Sequence, residues 1–146
     1  RHTLAIASDA MQYWSESDSL YEGLIASDTN DVQALNNYSY SLVERNIQLE
    51  KSLEMSKKAI DLEPDNAAYL DTIGWIYFKL NNAQKALYYI RRSIELDDKN
   101  AVVLEHLGDV LIAAEQPDEA RTIYLRALDL DKNNDLLKQK AGVIPD

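Results

Sequence analysis

Residues 67–100 read AAYLDTIGWIYFKLNNAQKALYYIRRSIELDDKN, and residues 101–134 read AVVLEHLGDVLIAAEQPDEARTIYLRALDLDKNN. The two blocks say nearly the same thing. Leu70, Ile73, Gly74, Tyr77, Ala86, Ile90, Ser93, Leu96 and Asn100 recur 34 residues later as Leu104, Leu107, Gly108, Leu111, Ala120, Tyr124, Ala127, Leu130 and Asn134. Self-similarity at that period marks a stacked helical array, in which each unit buries its apolar face against its neighbours. Leu70, Ile73, Gly74 and Tyr77 fall at i, i+3, i+4 and i+7, one stripe of an α-helix. Gly74 and Gly108 lie in mid-helix, where glycine costs about 1 kcal/mol relative to alanine. That cost is tolerable where a facing helix comes too close for a side chain. Ala86, Ala120 and Ala127 contribute small side chains to the same approach.

The pattern extends outward in both directions. Residues 32–66 form a second unit, one residue longer: Leu35 to Leu70 is 35 residues, whereas Ala59 to Ser93 is 34. The extra residue belongs in the turn near Arg45–Leu49, where lengthening costs little. Glu63-Pro64-Asp65-Asn66 is a helix stop, because proline disfavours helix in the residue before it. Residues 1–31 read as a divergent first unit, with Leu4 and Ala5 in register with Tyr38 and Ser39, Trp14 at the turn and Tyr21 in the second helix. The third and fourth units turn at Asn81-Asn82 and Gln116-Pro117. Asparagine tolerates the left-handed conformation that ends helices, and proline suits the first turn of the next one. Asp118-Glu119 then places negative charge at that helix's positive end. Beyond Asn134 the register continues to Ala141-Gly142. The stretch Asn134–Lys140 is expected to form a short cap over the apolar edge of the last unit, with Pro145 stopping it.

Composition narrows the function classes. With 46% hydrophobic and 27% charged residues, the 146-residue chain suits one domain with an ample core. It contains no cysteine, which excludes disulfides and thiolate metal sites. No run of apolar residues is long enough to cross a membrane as a helix, so no membrane insertion is expected. The net charge of −10 repels nucleic acid phosphates and anionic lipid, so no nucleic acid partner is expected. His2 and His106 are the only histidines, each without a neighbouring nucleophile or metal motif, and the four glycines form no phosphate loop. No catalysis and no cofactor are expected. The chain opens at Arg1 rather than Met and reads as a piece of a longer or processed protein. Its compartment is left open.

The repeated residues resemble the tetratricopeptide repeat (TPR) family. Its pattern is a bulky residue, Leu-Gly three residues on, then Tyr, followed in the second helix by small, aromatic and small residues. Leu70, Ile73, Gly74, Tyr77, Ala86, Ile90 and Ser93 fit it, as do Leu104, Leu107, Gly108, Ala120, Tyr124 and Ala127. Asp98 and Lys132 stand where the family has proline. The run Tyr69–Trp75 is similar to bacterial TPR proteins. The resemblance implies an all-α fold, an α-solenoid of stacked antiparallel helix pairs wound as a right-handed superhelix. About four repeats, 1–31, 32–66, 67–100 and 101–134, and a cap at 135–146 would make a single domain.

In that family a second stripe of each first helix lines a concave groove. The resemblance places there Asn36, Tyr40, Val43 and Glu44; Asp71, Trp75, Phe78 and Lys79; and Glu105, Asp109, Ile112 and Ala113, with His2, Ile6, Asp9 and Ala10 in the first repeat. Tyr40, Trp75 and Phe78 would form an aromatic floor, or else pack on one another between repeats. Asp9, Glu44, Asp71, Glu105 and Asp109 against Lys79 give about −4. Aromatic anchors ringed by acids suit a neutral-to-basic peptide or protein segment, through hot-spot burial, ion pairs and cation–π contact. TPR domains that clamp the acidic tails of Hsp70 and Hsp90 use Lys, Arg and Asn on these stripes. Only Asn36 fits here, so no such binding is expected. The other role considered is a spacer that stacks on itself or on further repeats.

Overall fold

In a computed structural model, which describes residues 1–143, the chain is helical throughout its regular structure. In order the helices are α1 (His2–Ala10), α2 (Trp14–Ser27), α3 (Val32–Glu44), α4 (Leu49–Leu62), α5 (Ala67–Lys79), α6 (Ala83–Leu96), α7 (Ala101–Ala113), α8 (Pro117–Leu130) and α9 (Asp135–Lys140). Each odd helix packs on the even helix that follows it, and each even helix on the next odd one. The result is an α-solenoid of four helix pairs, with α9 lying against α8 as the first helix of another pair would. None of the described helices is long and apolar enough to cross a membrane.

Side chains at the repeat period start the helices. Asp31, Asn66, Asn100 and Asn134 each precede an odd helix and accept a hydrogen bond from a backbone N–H of its first turn. Such caps satisfy donors that have no partner within the helix. Within every pair the first helix ends on a residue of positive φ: Gln12, Asn46, Asn81 and Glu115. The next N–H closes five residues back, as from Asn82 to the Tyr77 carbonyl and from Gln116 to the Leu111 carbonyl. This is the Schellman arrangement, achieved here without glycine. In the fourth repeat the left-handed residue is therefore Glu115, one position before the expected Gln116-Pro117, and Pro117 opens α8. The extra residue of the second repeat does lie in its turn, where Gln48 has positive φ as well. Trp14 begins α2, just past the turn. Gly142 (φ 74°) ends α9 in the same way, and Pro145 lies outside the described residues.

Close approach explains the mid-helix glycines. A Cβ on Gly74 would stand 2.5 Å from Ile90 Cγ1, 3.2 Å from the Ile90 nitrogen and 3.3 Å from the Ala86 oxygen. One on Gly108 would run into the ring of Tyr124. Among the described residues, most of the buried apolar side chains fall into two clusters. The smaller gathers Ala5, Tyr21, Leu24, Ala34, Tyr38 and Leu42. The larger runs from Val43 and Leu53 through Ile73, Ile90 and Leu107 to Leu137 and Ala141, so α9 does cover the end of the last pair.

Candidate functional site

The first helices of all four pairs share one hollow of about 420 Å³. Ile6 and Asp9 of α1, Asn36, Asn37 and Tyr40 of α3, Ala68, Asp71 and Thr72 of α5, and Val102 and Val103 of α7 line it, together with Tyr21 and Asn100. None of its lining residues is basic. Of the expected groove residues, it unites Ile6, Asp9, Asn36, Tyr40 and Asp71. Tyr40 is half-buried; burial, a hydrogen bond to Glu44 and the charge of Asp71 hold its phenol above the usual range. Burial and the charges of Asp9 and Asp18 push Tyr21 up to about 12.

The other expected residues fall elsewhere. Val43 belongs to the core. Glu44 and Ile112 are exposed outside the hollow, whereas Phe78, Lys79, Glu105 and Asp109 are half-buried. Trp75 is not an open floor: only 7% of it is exposed. Its ring stacks on His106 at 3.9 Å and on Phe78 at 4.8 Å, and Lys79 Nζ stands 5.0 Å over it. Its indole Nε1 is buried without an acceptor. The aromatics therefore pack on one another across the α5–α7 junction, and Tyr40 is the one left facing the hollow.

The acids are also more engaged than their number suggests. His106 Nδ1 lies 3.0 and 3.2 Å from the two oxygens of Asp71, and both side chains are buried. Lys140 of α9 donates to Glu105 at 2.6 Å and to Asp109 at 3.0 Å, while Tyr124 donates to Asp109 at 2.6 Å. Burial pulls the Lys140 ammonium down, but its bonds to Glu105 and Asp109 outweigh that and leave it raised. Asp9 accepts from Ser41 Oγ at 2.5 Å. With Lys140 included, the five acids face two lysines, which leaves −3 rather than −4. Sequence reasoning missed His106, Lys140, Asn37 and Thr72. Asp71 to His106 and Glu105 to Lys140 are both 35 apart, one more than the repeat, and that shared offset was the available signal.

A family model described as Tetratricopeptide repeat matches residues 67–100 and 101–134. A TPR repeat-containing protein of Pseudomonas aeruginosa is 36% identical over 67 residues, 44% of this chain and 11% of that protein. The chain thus spans a small part of that relative's length. A thermophilic TPR protein of Thermus thermophilus superposes with a TM-score of 0.84 at 19% identity, over 97% of this chain and 78% of that one. The first TPR of Spaghetti, solved bound to an HSP90 peptide, superposes with a TM-score of 0.71 at 18% identity, over 80% of this chain and 91% of that one.

Proposed function

We propose that this chain, a tetratricopeptide-repeat protein-interaction module by its repeats and its fold, takes a neutral-to-basic peptide or protein segment along its shared hollow and performs no chemistry on it. The observation that carries this reading is the hollow itself: one surface built by α1, α3, α5 and α7, with two carboxylates and no basic residue in its lining. Extended segments bind such surfaces through a few anchors, and opposite charge speeds and orients their approach. Panning a phage-displayed dodecamer library tests it. The selected peptides are expected to be rich in Arg, Lys and aromatic residues and to lose affinity with added salt. Ile6→Arg, an exposed change on the hollow's rim, is expected to weaken them about tenfold by adding like charge. Peptides that bind this variant unchanged would place the site elsewhere. The acidic peptide SRMEEVD, run beside them, is expected to bind no tighter than about 1 mM, because Asp9 and Asp71, the hollow's two carboxylates, repel its own; micromolar binding would overturn the exclusion.

A second reading, self-association, has one specific observation behind it. Leu4 and Met11 are 52% and 60% exposed. Their counterparts in the third repeat are Ile73, fully buried, and Leu80, half-buried against the larger core cluster. The outer edge of α1 thus resembles an internal interface left uncovered. Light scattering across a concentration series decides: a mass that rises with concentration favours assembly, and a constant monomer mass removes it.

A further inference from the structure

The first helices are tied from repeat to repeat by polar rungs at equivalent positions. The fifth residue of α5, Asp71, meets the sixth residue of α7, His106. The fifth residue of α7, Glu105, meets the sixth residue of α9, Lys140. In both rungs an acid of one repeat receives a base from the next. The same positions between α3 and α5 hold Asn36 and Thr72, and there the rung is not made. Thr72 Oγ1 donates to the Ala68 carbonyl of its own helix at 3.0 Å. Asn36 is only 8% exposed, and its Oδ1 is buried with no partner. An unsatisfied buried acceptor costs about 1–3 kcal/mol, so it calls for an explanation. Asn36, Thr72, Asp9 and Asp71 all line the hollow.

We infer that the bound partner supplies the missing base: the guanidinium of an arginine side chain enters the hollow and donates to Asn36 Oδ1 and to the carboxylates of Asp9 and Asp71. This rests on the reading that the hollow takes a peptide or protein segment. Each carboxylate has capacity left after its present contacts, Asp9 with Ser41 and Asp71 with His106, since a carboxylate offers about four acceptor sites. Acceptors on three different helices suit a planar fork of five N–H donors better than a compact ammonium, and guanidinium is the less strongly hydrated cation. The tyrosines report the same field: Asp9 disfavours the phenolate of Tyr21 and Asp71 that of Tyr40.

The test uses the whole chain and N-acetyl-arginine N-methylamide as probe, with the neutral, similarly shaped N-acetyl-citrulline N-methylamide as control, read by nuclear magnetic resonance. Saturable shifts at Asn36, Tyr40 and Thr72 are expected with the arginine probe, and citrulline should bind at least about tenfold more weakly. Thr72→Lys restores the base that its equivalents His106 and Lys140 provide, so it should fill the rung from within and abolish the shifts. Asp9→Asn keeps the acceptor for Ser41 but removes one charge, and should weaken the probe about tenfold; it decides the matter if Thr72→Lys does not fold. Equal response to both probes, no saturable shift, or undiminished binding in a folded variant overturns the inference. If panning yields peptides that Ile6→Arg repels while the arginine probe fails, the arginine site falls and the groove reading stands. If panning yields none while the probe saturates, the reverse holds.

Discussion

Gly74→Leu is expected to abolish the cooperative unfolding transition of this chain, or to lower its stability by more than about 3 kcal/mol. The Cβ alone would press Ile90 Cγ1 at 2.5 Å and two backbone atoms, the Ile90 nitrogen and Ala86 oxygen, at 3.2 and 3.3 Å. The side-chain carbon can move; the backbone of α6 cannot without parting from α5. Three further carbons then have no space in an interior packed as densely as a crystal. Because each repeat is held mainly by its neighbours, a break in the third pair also deprives the fourth of its support. Gly74→Ala should be destabilising too, but less so, since the helix propensity gained, about 1 kcal/mol, offsets part of the crowding. Urea unfolding followed by circular dichroism measures both. A wild-type midpoint for the leucine variant would show that this approach does not hold the pair together.

Trp75→Ala is expected to cost about 3–5 kcal/mol of stability, the range for removing a buried tryptophan. For a chain of this size that corresponds to roughly 6–20 °C in melting temperature. The ring is held between His106 and Phe78, so its loss opens a void at the junction of α5 and α7. It also strips the cover from the buried Asp71–His106 contact. Trp75→Phe should lose much less, because it keeps an aromatic face against His106 and removes an indole N–H that has no acceptor. A melting temperature within a few degrees of wild type for the alanine variant, on the scale of about 2–4 °C per kcal/mol, would mean that Trp75 is not part of the core. It would then return as the exposed anchor that its helical stripe suggested.

The contrast between these two residues shows what was legible beforehand. A period of 34 shared by nine residue pairs forces stacked helix pairs. A glycine recurring in mid-helix has only one cheap explanation, close approach. Both features are local in the repeat and survive translation along the array. Which side chains of the second stripe see solvent depends instead on how each repeat is rotated against the next, a property of two repeats together. Trp75 and Asp71 share that stripe with Tyr40, yet α7 covers them with His106. His106 looked isolated because its partner sits one position off the repeat register. Lys140 lies in a cap whose contribution to the groove's charge has no counterpart in the family pattern. The unfilled rung at Asn36 became visible only against the two that are filled.

The seam between the two apolar clusters passes within α3, at Leu42 and Val43. Amide hydrogens of α1 and α2 are therefore expected to exchange as a small unit that opens while the rest of the solenoid persists, as sub-global openings do. The hollow straddles that seam, with Asp9 and Asn36 on one bank and Asp71 on the other. Whatever occupies it acts as a splint: its binding free energy is added to both units at once, so a frayed first pair and a firm remainder would be drawn into a single melting body.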